Sequence, residues 1–156
     1  MIIATASVPL IAVNALASAI WVGGLVAIFV AARAASRTLD PAQRVAFFRS
    51  LGRTYGVVGT TALLVAIASG AILLDDHPWD GLLIATAILT GALLLAAGAG
   101  MAQARAMTRL RRRALAEPGA DLERRVRRGA ALAGALRGAI AAFTLALVVL
   151  VAALVA

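Results

Sequence analysis

Four stretches of this chain are too long and too apolar to belong to a water-soluble fold. A hydrocarbon layer of roughly 30 Å is crossed by about 20 helical residues, and runs of this length recur from end to end. They predict transmembrane helices at about 8–32, 55–74, 82–107 and 130–156. In hydrocarbon the backbone has no water to pair with, so each run must be a helix or part of a closed barrel. The runs are continuous rather than alternating, which selects helix. The fold expected is a single all-α domain, a polytopic four-transmembrane-helix up-down bundle.

Composition agrees: 63% of the 156 residues are hydrophobic and 14% charged. The net charge of +8 is carried by arginine alone. Five arginines lie between Arg33 and Arg53, and nine of the fifteen lie between Arg105 and Arg128. Basic residues in short connections stay in the cytoplasm, so the segments 33–54 and 108–129 read as cytoplasmic loops. The link Asp75–Gly81 carries three acids and no arginine, which puts it outside together with both termini. This distribution replaces the nucleic-acid reading that a pI near 11.8 suggests. The first run exceeds a signal core of ~7–15 residues and ends in Arg33 and Arg37, so it is expected to remain as a span. With no cysteine, disulfides, thiolate nucleophiles and iron–sulfur ligation are excluded.

Local signals punctuate the runs. Ser7 and Pro9 suit the start of the first helix. Asp40-Pro41-Ala42-Gln43 is a second start signal, with Asp40 as N-cap, Pro41 at the first helical position and Gln43 two residues on. Val45, Phe47, Phe48 and Leu51 opposite Arg44, Arg49 and Arg53 fit a short interfacial helix, or else a solvated connector. Glu117-Pro118-Gly119 is a turn, and Asp121 can cap a helix that continues through the basic segment into the last run. Small residues mark faces for close helix packing: Gly23 and Gly24 in the first run, Gly56 (four residues from Gly52 and Thr60) and Gly59 in the second, and Gly134 and Gly138 at four-residue spacing in the last.

Few residues can carry chemistry. Asn14 shares a helix side with Ser18 and Trp21, and a polar amide in hydrocarbon either joins two helices or holds a ligand. Arg137 is the one charge expected to have a place inside a span. The twenty residues from 137 to 156 are just enough to cross, so it either anchors at the cytoplasmic boundary or lines an anion or lipid-head site. Asp75, Asp76, His77 and Asp80 are weak candidates for a divalent ion, since ligands so local make no rigid site. No nucleophile–base pair or intramembrane carboxylate pair occurs, so no enzyme and no cofactor is expected. The arginines instead suit anionic lipid headgroups.

At Trp21-Val22-Gly23-Gly24 the chain resembles the copper-resistance D (CopD) domain and the small four-helix bacterial membrane proteins related to it. Ser69-Gly70-Ala71-Ile72-Leu73-Leu74 is similar to the end of their second helix. The likeness covers about the first half of the chain. It implies a bacterial inner-membrane, transport-related protein. The family commonly carries histidine seven residues before the tryptophan; here that position is Asn14, which removes a copper or haem ligand. The function expected is therefore non-enzymatic: a transport-related, accessory or scaffold protein, self-associating through its small-residue faces or joined to a membrane partner. A carrier of a lipid, quinone or haem-like molecule is the alternative, and a metal exporter a more distant one.

Overall fold

The computed structural model describes the backbone of residues 2–76, 78–116 and 119–155, and their side chains except those of 2–7, 41, 42, 45, 111–116, 123 and 155. The described residues are helix and short links, with no strand among them. Four helices follow in order: α1 (Ile2–Thr38), α2 (Pro41–Leu73), α3 (Gly81–Ala116) and α4 (Ala120–Val155). Each contains a stretch long and apolar enough to cross a membrane, which fits a multi-pass membrane protein.

The helices are longer than the sequence suggests. At 33 to 37 residues and ~1.5 Å per residue they measure about 50–55 Å. The expected basic loops 33–54 and 108–129 are mostly helix, interrupted at Leu39–Asp40 and around Gly119. A break in the helices falls within each basic segment, but charge says nothing of the conformation of the rest. Alanine, arginine, leucine and glutamine are all strong helix formers, and Pro41 and Pro118 are the only prolines in the two segments. The interfacial helix expected after Pro41 is the first part of α2. Likewise α1 begins at Ile2, so Ser7 is not its cap and Pro9 lies inside it.

The chain divides into two compact units, Met1–His77 and Pro78–Ala156. The first is an antiparallel hairpin of α1 and α2. Ala17, Ala35, Ala62, Leu63 and Ser69 are buried in it, and such small side chains let the two backbones approach closely. Its turn is tightly bonded. Asp40 Oδ1 accepts the Gln43 N–H at 2.9 Å, capping α2. The Arg44 guanidinium reaches back to donate to the Ser36 and Leu39 carbonyls at 3.0 and 3.2 Å. A cation at this place also meets the negative end of the α1 dipole.

The second unit pairs α3 with α4, burying Leu83, Leu93, Ala96, Met107, Thr86 and Thr144. Asp80 Oδ1 accepts the Leu83 N–H at 2.8 Å and so caps α3. The Thr86 and Thr90 hydroxyls donate to the Leu82 and Thr86 carbonyls one turn back. Outward, both units are apolar: Leu95 is 78% exposed, Phe29 69% and Leu145 68%. A water-soluble protein rarely presents apolar surface on this scale.

Replacing Asp40 by alanine removes the α2 cap and should destabilise the first hairpin by about 1 kcal/mol, whereas Asp40→Asn should cost much less. Thermal unfolding in detergent micelles, followed by circular dichroism, checks both; equal melting of the alanine and asparagine variants would contradict the capping role.

Candidate functional site

Two polar contacts join α1 to α2 inside their apolar stretches. One is built on Asn14. Its Nδ2 donates to the Ala66 carbonyl at 2.8 Å and to Ser69 Oγ at 3.0 Å. Ser69 in turn donates to the Val65 carbonyl at 2.6 Å. Both amide hydrogens of Asn14 thus serve the hairpin. Gly70 makes room for them, since a Cβ there would stand 3.3 Å from Asn14 Nδ2.

The other contact is built on Tyr55, which the sequence reading did not single out. Its hydroxyl donates to the Trp21 backbone carbonyl at 2.9 Å. That carbonyl already accepts within its helix, but a carbonyl oxygen has a second lone pair. The tyrosine ring lies directly on Gly24, where any added Cβ would overlap it. On its own helix the ring also covers Gly59, at 2.9 Å from a Cβ built there. The signal for Tyr55 was available: it is the only tyrosine of the chain, and a phenol hydroxyl in an apolar run needs an acceptor.

Asn14 and Trp21 are therefore placed on the α2-facing side of α1, the latter contributing its carbonyl. Ser18 is half-buried between them. The predicted packing glycines separate into two groups. Gly24 and Gly59 meet Tyr55, while Gly23, Gly56, Gly134 and Gly138 have nothing within 4 Å of a built Cβ. Arg137 is exposed on α4, beside Gly134 and Gly138.

The second unit has a related contact that the sequence reading also missed. Gln103 Nε2 donates to the Gly129 carbonyl at 3.2 Å, and the Met107 sulfur presses on the same glycine. Of the acidic link, Asp75 and Asp76 are exposed and Asp80 caps α3; His77 lies outside the described residues. Among the described residues, no three histidine, cysteine, aspartate or glutamate side chains form a group able to hold a metal ion. No known protein family, curated protein or solved structure matches the chain.

Because the Tyr55 ring fills the space over Gly24, Gly24→Ala should destabilise the first hairpin by about 1–3 kcal/mol, a typical overpacking cost. In a Tyr55→Ala background the same substitution should cost far less. A double-mutant cycle of detergent melting temperatures measures this coupling; additive effects would separate the two residues. Asn14→Leu should cost about 0.6–2 kcal/mol in the same assay.

Proposed function

We propose that the protein is a multi-pass protein of the bacterial cytoplasmic membrane, with its arginine-rich turns inside and both termini outside, acting without enzymatic chemistry. In this reading the four helices form an up-down bundle that serves as a transport-related, accessory or scaffold component and associates with copies of itself. The likeness of Trp21-Val22-Gly23-Gly24 to the CopD domain agrees with such a setting.

The observation that carries self-association is the pair Gly134 and Gly138. They lie one turn apart on α4, on the same face as the exposed Leu145, and among the described residues of their own hairpin nothing beyond the adjoining α4 backbone comes within 4 Å of a Cβ on either. Small residues four apart let two membrane helices touch backbone to backbone. Within the hairpins Gly24 and Gly129 receive the Tyr55 and Met107 side chains of the neighbouring helix, whereas Gly134 and Gly138 are left uncovered among the described residues of their hairpin. Arg137 next to it sits where a long side chain extends from the end of a span toward the headgroups.

The carrier reading draws on Asn14, Ser18 and Trp21, but the Asn14 amide nitrogen and the Trp21 carbonyl are engaged by α2. That favours a structural role for them and leaves the ligand alternative weaker. The anionic headgroups of the inner leaflet remain the partner that the arginine turns suit best.

Gly134→Leu/Gly138→Leu adds bulk on a face where a Cβ meets nothing within 4 Å among the described residues of the hairpin. The doubly substituted protein should melt like the parent as a monomer, yet lose its oligomers. Native mass spectrometry from mild detergent reads both species. A parent protein that is monomeric at every concentration, or oligomers that survive the double substitution, would sink the proposal.

A further inference from the structure

The cross-helix contacts of the first hairpin fix a register in which the two apolar stretches do not end together. Asn14 meets Ala66, Trp21 meets Tyr55 and Ser36 meets Arg44. Leu25–Ala32, still apolar, therefore runs beside residues about 45–53 of α2. There α2 carries Arg49 and Arg53. This level of the hairpin is two-sided. At about 100° per residue, Arg49, Ser50 and Arg53 lie on the side of α2 away from Tyr55, and Thr54 lies at its edge. All four are exposed, and with Ala46 they line one open groove of about 250 Å³. The outer side of α1 at the same level presents Val26, Phe29 and Val30. Arginines beside an apolar helix, with the acidic link at the hairpin's other end, mark the boundary between hydrocarbon and headgroups.

The charges in this groove are uncompensated. Arg44 is held by the α1 carbonyls. In the second unit Arg125 and Arg124 face Asp121 at 3.0 and 3.8 Å. Among the described residues, Arg49 and Arg53 have neither a carboxylate nor a hydrogen-bond acceptor, and their groove neighbours are two hydroxyls. Two guanidinium forks one turn apart with Ser50 and Thr54 beside them match the donors that a phosphate oxygen set requires.

We propose that this face of α2 is a phosphate site occupied by the headgroup of an anionic phospholipid. Arg49 and Arg53 supply the charge and Ser50 and Thr54 the neutral donors, while the register sets the phosphate at the hydrocarbon boundary. The site rests on the reading that the hairpin spans a membrane.

The test uses the full chain in nanodiscs of phosphatidylcholine and phosphatidylglycerol in equal parts, with the lipids that stay bound after release identified by native mass spectrometry. The parent should retain phosphatidylglycerol preferentially. Arg49→Gln/Arg53→Gln should lower that preference by roughly 25-fold, since each basic residue contributes about a factor of five near an anionic surface. Ser50→Ala/Thr54→Ala, which keeps the charge, should lower it by roughly threefold. Arg124→Gln/Arg125→Gln should leave it nearly unchanged. Undiminished preference in both groove variants overturns the site. Displacement of the lipid by millimolar inorganic phosphate assigns it to a free anion and overturns the lipid source. A chain that does not enter the nanodisc at all overturns the membrane reading instead, a result recognisable by the absence of the protein–disc complex.

Discussion

The constraint on which this structure depends is that polar backbone groups in an apolar surrounding must be paired by the protein itself. Helices satisfy that demand within one segment, and here they do so for 33 residues or more at a time. The groups left over are the helix ends and the few polar side chains within the apolar stretches. The ends at the α1–α2 turn are met by Asp40 and Arg44, and the start of α3 by Asp80. Polar side chains inside the stretches turn to a backbone carbonyl.

This last device appears in both hairpins. Asn14, Tyr55 and Gln103 each cross to the neighbouring helix and donate to a carbonyl that is already bonded within its own helix. All three come with a glycine on the opposite helix: Gly70 beside the Asn14 amide, Gly24 under the Tyr55 ring, and Gly129 beside Gln103 and Met107. The small residue and the polar donor act together. Without the glycine the side chain would be held away from the opposite backbone, and without the donor the close approach would rest on dispersion alone.

Much of the fold was legible because the strongest signals are lengths and charges. The apolar runs located all four helices, and Asp40-Pro41 marked the start of the short helix expected before the second run, which the structure makes one helix with it. The ends of α1 and α3 were not legible, because an arginine-rich segment reads as a loop by topology and as a helix by propensity, and propensity prevailed. For the contact residues, periodicity placed Asn14 on an inward face. It could not rank the glycines, since spacing alone does not tell which one lies beneath a large side chain. Tyr55 and Gln103 escaped notice because a lone polar residue at the edge of a run resembles boundary decoration until the opposite helix is in place.

The fit of Tyr55 over Gly24 also bears on how this hairpin can change through mutation. A side chain at Gly24 displaces the ring across from it and comes at far lower cost once that ring has shrunk, whereas Tyr55 can shrink at any time at the cost of a void. The two positions are thus ordered in history: one substitution opens the way and the other comes after. Gly134 and Gly138, with nothing above them among the described residues of their own hairpin, carry no such order within it. Any restraint on them comes from outside that hairpin.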